Sequence, residues 1–261
     1  MHIINYRLLI TIVSSLIFYT YTIDNINNTI NDKTKTMLKI GHRGACAYYP
    51  ENTLSSFEHA IHLGVDAVEL DVHICASGEL VVIHDITVNR TTNGKGKVAH
   101  KTLAQLKQLD IPDNQKIPTL QEVFDAINRR VIINIELKGY DTARATAELI
   151  KHYIKTYNWK PTDFMVSSFD HPELALFHTL CPSVPFGPIL EGIPIRYAQF
   201  AQDMGAHFVV AAKDFLTKAY IDDAHARNLP IFAYTLNRKS EIRHFKALCV
   251  DGMFSDCPDR L

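Results

Sequence analysis

From Leu38 onward the chain alternates short apolar runs with amphipathic stretches of helical period, and no other feature of the sequence narrows the possible folds as far. Leu38–Gly41 reads as a first strand. Either Asn52 or Thr53 can cap a helix that carries Leu54, Phe57, Ala60 and Ile61 on one face and has Gly64 just past its end. Strands follow at 66–73 and 80–84, joined through the turn Ser77-Gly78-Glu79. That link is too short for a helical crossover, so the two are expected to form an antiparallel hairpin. Helices are expected near 103–109 and 120–127, and a strand at 131–137. After these come helix 142–156, strand 163–167, helix 172–180, strand 185–190, helix 194–204, strand 207–211, helix 217–227, strand 230–235, helix 239–247 and strand 252–255.

Repeated strand–helix units predict a mostly parallel sheet with helices outside. Nine strand candidates stand against the eight staves of a TIM-like (β/α)8 barrel, so one is a spare or an arm of the hairpin. The rival, an open doubly wound sheet, should show G-x-G-x-x-G after its first strand, and none is present. A barrel also gathers the C-terminal ends of separated strands into one site, and the polar residues of this chain sit at those ends.

A length of 261 residues suits one such domain. The formal net charge of −1, without a run of five like charges, excludes the basic face that nucleic acid binding needs. Five cysteines (Cys46, Cys75, Cys181, Cys249, Cys257) are odd in number and lack C-x-x-C spacing, which predicts reduced, structural thiols. Residues 1–36 are set apart from a domain at 37–261. Positions 8–19 are a mostly apolar run behind Arg7, too short to span a bilayer with ease and similar to the central region of a secretory signal, and 24–36 is a polar Asn- and Thr-rich linker. Met37 stands directly before the first strand and is an alternative start. The cysteine pattern favours the cytoplasm; export, or anchoring through 8–19, is the alternative. No stable membrane insertion of the domain at 37–261 is expected.

Chemistry concentrates at strand ends: His42 and Arg43, Glu69 and Asp71, His84 and Asp85, Glu136 and Lys138. Glu69 and Asp71 are two apart and so share a face, as do Glu136 and Lys138. With the hairpin turn centred between 77 and 78, Asp71 lies across from His84. Three carboxylates meeting in a barrel mouth repel one another and lose hydration, and a divalent cation relieves both. Oxygen ligands suit Mg²⁺, Ca²⁺ or Mn²⁺. Glu69, Asp71 and Glu136 are therefore the expected ligands of one divalent cation; the competing arrangement pairs them with Arg43 and Lys138 and holds no metal. His42 and His84 are the acid/base candidates among thirteen histidines, because both sit at strand ends beside charged partners. His73 and His100 lack that context and read as surface or loop residues. Arg43 offers a fork for phosphate oxygens and Lys138 a point charge.

The runs His42-Arg43-Gly44-Ala45, Pro50-Glu51-Asn52-Thr53, Glu69-Leu70-Asp71-Val72, Val81-Val82-Ile83-His84-Asp85, Arg90-Thr91-Thr92-Asn93-Gly94, Ile117-Pro118-Thr119-Leu120, Asn134-Ile135-Glu136-Leu137-Lys138, Ser167-Ser168-Phe169-Asp170 and Asp251-Gly252 resemble, in order, the motifs of glycerophosphodiester phosphodiesterases. The resemblance implies a barrel of the phosphatidylinositol-phospholipase-C-like phosphodiesterase kind with a Mg²⁺ or Ca²⁺ site. It implies hydrolysis of small-molecule glycerophosphodiesters to sn-glycerol 3-phosphate and an alcohol. It also implies His42 and His84 as the paired histidines, Glu69, Asp71 and Glu136 as metal ligands, and Arg43 and Lys138 on phosphate. Glu51 and Asn52 would lie in the same mouth as substrate-binding residues, although Asn52 could instead only cap the helix. The chain departs from the pattern at Tyr234-Thr235-Leu236-Asn237 and Ser255-Asp256-Cys257-Pro258-Asp259, neither of which is expected to touch the chemistry. A lysophospholipase D-like enzyme would share the site and differ in access; a dead binding protein would have lost a histidine or a metal ligand, and none is lost.

Overall fold

A computed structural model describes residues 37–261, and the expectations for the apolar run and the linker at 1–36 lie outside the described residues. Nine strands occur among them: β1 (Leu38–Gly41), β2 (Ala67–Ile74), β3 (Leu80–Val82), β4 (Ile132–Leu137), β5 (Phe164–Ser168), β6 (Phe186–Leu190), β7 (Val209–Ala212), β8 (Ile231–Tyr234) and β9 (Gly252–Ser255). β1 pairs in parallel with both β9 and β2, so the sheet closes on itself. The ninth strand is β3, an antiparallel arm on β2. The fold is thus a closed eight-stranded parallel barrel with one hairpin arm. The helices are α1 (Leu54–His62), α2 (Leu103–Lys107), α3 (Leu120–Ile127), α4 (Thr142–Tyr157), α5 (His171–Leu180), α6 (Gln199–Asp203), α7 (Lys218–Ala226) and α8 (Lys239–Ala247). No helix among the described residues is long and apolar enough to cross a membrane.

Local chemistry explains where the helices begin. Thr53 caps α1 by accepting from the Ser56 amide, and Thr119 with Glu122 forms a capping box on α3. Because Thr53 takes the cap, Asn52 is released for other work. The expected helix at 194–204 shrinks to α6: Tyr197 has φ +45, outside helical geometry, and Ile195 is fully exposed with no apolar face to bury.

Inside the barrel, Ile40, Ala67, Met165, Ile189, Phe208, Val210, Phe232 and Phe254 form one buried layer, each large side chain contributing about 1.5–3 kcal/mol. Gly187 makes room for it, since a Cβ there would lie 2.3 Å from the Phe208 ring. Above Ala67, strand alternation sends Glu69 and Asp71 into the same lumen, and the β2–β4 register places Asp71 beside Glu136. The lumen is therefore apolar at the strand starts and acidic at the strand ends.

The hairpin register differs from expectation by one residue. The turn centres on Ser77, with Gly78 at φ +99 and the Cys75 amide bonded to Glu79 O, so Ile83 rather than His84 faces Asp71. His84 enters the mouth from the loop after β3. His73 is also no surface residue: it lies in β2, 7% exposed.

Burial, with His178 close by, pushes the His207 imidazole down to about 4. A folded value below the unfolded value of about 6.5 means that the unfolded chain binds the extra proton; this contribution is complete above about pH 6.5 and lost as pH falls towards about 4. Urea unfolding should show a loss of up to about 3 kcal/mol across that interval, and His207→Phe should flatten that part of the slope. An unchanged slope in the variant would remove His207 from the account.

Candidate active site

The loop after β1 carries His42 and Arg43. Arg43 at φ +53 and Gly44 at φ +85 turn the backbone sharply, and a Cβ at position 44 would sit 2.4 Å from Ser56 Oγ. The turn presents the Arg43 amide to Glu69, donating to Oε2 at 2.8 Å. The Arg43 side chain donates from Nη1 to Glu51 Oε1 at 3.0 Å, and its Nε lies 3.6 Å from Asp71 Oδ2.

Glu69, Asp71 and Glu136 are 2%, 1% and 8% exposed, and each offers one oxygen within 4.8 Å of the others. Asn52 Nδ2 donates to Asp71 Oδ2 at 2.8 Å, and Lys138 Nζ donates to Glu136 Oε1 at 2.7 Å. Glu69 Oε1 is buried without a hydrogen-bond partner. Burial, then repulsion from Asp71 and Glu136, drives the Glu69 carboxyl far above the usual range. Burial, then Asp71, pushes Glu136 up to about 7. Two cations facing three carboxylates, one of those cations shared with Glu51, leave the cluster short of positive charge. The orphaned oxygen and the oxygen-only donor set fit a hard divalent cation.

Each candidate imidazole is tethered at Nδ1. His42 Nδ1 stands 2.6 Å from Asp256 Oδ1 and its Nε2 stands 4.0 Å from Glu69 Oε2. His84 Nδ1 stands 2.7 Å from Asp85 Oδ1. Burial opposes ionisation of Asp256, yet hydrogen bonds from His42, Cys46 and Asn237 hold its carboxyl well below the usual range. The Arg90 fork holds Asp85 low in the same way. An ionised carboxylate at Nδ1 fixes the proton there and leaves Nε2 as the free nitrogen of both rings. Burial lowers His84 below the ordinary histidine value.

A chain of ion pairs joins the two loops. Arg90 donates to Asp85 at 2.8 Å from Nε and Nη2, and to Glu51 at 2.6 Å from Nη1 and 2.8 Å from Nη2. Glu51 in turn holds Arg43. Glu51 is engaged with Arg43 and Arg90, and Asn52 with Asp71. His73, whose imidazole burial pushes below the ordinary histidine value, donates from Nε2 to the His84 carbonyl at 3.0 Å.

His42, Arg43, Glu69, His84, Glu136 and Lys138 line one cavity of about 250 Å³. It opens into a groove of about 1360 Å³ that shares His84, Glu136, Lys138 and Phe169. The segments at 234–237 and 255–259 do touch this site, contrary to the reading from sequence. Asp256 anchors His42, Asn237 Nδ2 donates to Asp256 Oδ2 at 2.6 Å, and Tyr234 and Thr235 line the cavity. Position was the available signal: Asp256 directly follows β9, as His42 follows β1, and these strands are neighbours.

The model of the glycerophosphoryl diester phosphodiesterase family matches residues 42–260. A glycerophosphodiester phosphodiesterase of Bacillus altitudinis is 37% identical, over 86% of this chain and 96% of that protein. One from Caldanaerobacter subterraneus is 33% identical, over 86% and 96%. Among solved structures, a phosphodiesterase of Oleispira antarctica in complex with the product sn-glycerol-3-phosphate superposes with a TM-score of 0.78 at 28% identity, over 85% of this chain and 93% of that one.

Proposed function

From the premise that the chain belongs to the glycerophosphoryl diester phosphodiesterase family, we propose that it hydrolyses glycerophosphodiesters to sn-glycerol 3-phosphate and an alcohol by in-line displacement at phosphorus. The observation that carries this reading is the cluster of three buried carboxylates, two of which, Glu69 and Glu136, line one cavity with the carboxylate-anchored imidazoles of His42 and His84. Glu69, Asp71 and Glu136 would hold one Mg²⁺ or Ca²⁺, which when bound supplies Lewis-acid stabilisation of charge on the phosphoryl oxygens. Arg43 and Lys138 orient the phosphate and offset its charge. Nε2 of one histidine takes the proton of the attacking oxygen, from water or from the 2-hydroxyl of the glycerol moiety. The other ring, taking a proton from solvent at Nε2 to become the imidazolium, gives that proton to the alkoxide that leaves as the P–O bond to the headgroup breaks. Attack by the 2-hydroxyl first gives a cyclic phosphate, which water then opens. Asp256 and Asp85 keep each ring in the required tautomer, and Glu51, Asn52 and Arg90 hold the charged groups in place. Five free thiols favour a reducing compartment, the cytoplasm.

The test is a panel of glycerophosphodiesters assayed by coupled detection of glycerol 3-phosphate. Release of glycerol 3-phosphate from at least one is expected; no turnover of any of them would refute the reading.

One observation favours a second reading. The adjoining groove carries Ile86, 52% exposed, and Tyr140, 82% exposed, and a human relative named lysophospholipase D is 26% identical. An apolar wall beside the reaction site suits a substrate with an acyl chain. Faster turnover of lysophosphatidylcholine micelles than of glycerophosphocholine would select this reading.

A further inference from the structure

We propose that His42, Cys46 and Asp256 form a second metal site, of softer character than the carboxylate cluster, and that Zn²⁺ bound there switches the enzyme off. Three donors of different chemistry converge: His42 Nδ1 and Cys46 Sγ lie 2.6 Å and 3.0 Å from Asp256 Oδ1, and all three donor atoms fall within 4.8 Å of one another. Around a tetrahedral zinc, neighbouring donors stand roughly 3.3–3.6 Å apart, given bonds of about 2.0–2.3 Å. The carboxylate oxygen need only draw back from the ring and the thiol by under about an ångström for the ion to enter. Asp256 stays aligned because its other oxygen is held by Asn237. The site reaches solvent, with the His42 and Asp256 side chains 18% and 28% exposed, so water can complete the coordination.

The donor set decides which metal binds. Sulfur, imidazole and one carboxylate suit zinc and disfavour Mg²⁺ and Ca²⁺, while the cluster of Glu69, Asp71 and Glu136 has the opposite preference. The balance of the step is simple. Zinc replaces the thiol proton, which leaves to solvent, and the His42 proton moves from Nδ1 to Nε2. With Nδ1 coordinated, Nε2 holds that proton too strongly to exchange it with substrate, and Asp256 no longer sets the tautomer. This inhibitory half rests on the role given to His42 above; the binding half does not.

The experiment uses the full chain on a Cys249→Ser background, because Cys249 is exposed and could bind metal alone. Zinc is titrated into enzyme saturated with Mg²⁺, with Cys46 intact, with Cys46→Ser and with Cys46→Ala. The zinc concentration for half-inhibition should rise at least about tenfold in both variants, the minimum expected when a direct ligand is lost. Co²⁺ should give a thiolate-to-metal charge-transfer absorption with Cys46 intact and none in either variant. Equal zinc sensitivity in all three proteins together with no such absorption overturns the site. If the absorption appears but no diester is hydrolysed with any cation, the site stands and the function proposed above fails.

Discussion

Alanine at His42 or at His84 is expected to lower kcat by roughly 10²–10⁴-fold, the usual worth of a positioned acid or base. Neither ring fills the core: their side chains are 18% and 27% exposed. Thermal melts followed by circular dichroism should therefore stay close to those of the wild type. Both rings act on the same displacement, so the double variant should be little slower than the worse single one. Asp256→Asn should fall between, since the ring remains while its tautomer is no longer enforced. Steady-state kinetics with glycerophosphoethanolamine would measure all four. Near-normal turnover in both single variants would overturn the assignment.

The second large effect is expected from chelation. EDTA should cut hydrolysis by at least about 10²-fold, with recovery on adding Mg²⁺ or Ca²⁺, because several kcal/mol of charge stabilisation leave with the cation. Activity alone could mislead, so stability supplies an independent readout. In the metal-free chain Glu136 is raised to about 7 by burial and by Asp71. A carboxyl whose folded value lies above its unfolded value contributes stability below the unfolded value of about 4.5 and loses it as pH rises through about 7. Stripped protein should thus be weakened on the alkaline side, where the three carboxylates repel. Added Mg²⁺ or Ca²⁺ should raise the Tm more above that value than below it. A Tm gain independent of pH would place the cation elsewhere.

Most of the barrel could be read from the chain because apolar runs and helical stretches alternate so regularly, and β4 and β9 lie within a residue of expectation. What failed to show depended on geometry that no pattern encodes. The hairpin register turned on whether the loop centres on Ser77 or half a residue later, and that shift moved His84 out of the strand. Helix 194–204 had the right period, but its first turns found no surface to bury. At the site, side chains on the same strand were legible through alternation: Glu69 with Asp71, and Glu136 with Lys138. Contacts across the chain were not. Asp256 lies 214 positions from His42, and Arg90 lies 39 from Glu51. His73 looked like an ordinary polar residue until the barrel buried it.

The pairing of β1 with β9 is the seam at which the first and last strands of the barrel meet. His42 leaves one side of that seam and its carboxylate partner leaves the other. Until the barrel has shut, the imidazole has no anchor, so full turnover should require completed folding. A nascent or partly unravelled molecule, though it already holds Glu69, Asp71 and Glu136, should cut its substrate more slowly than the closed barrel.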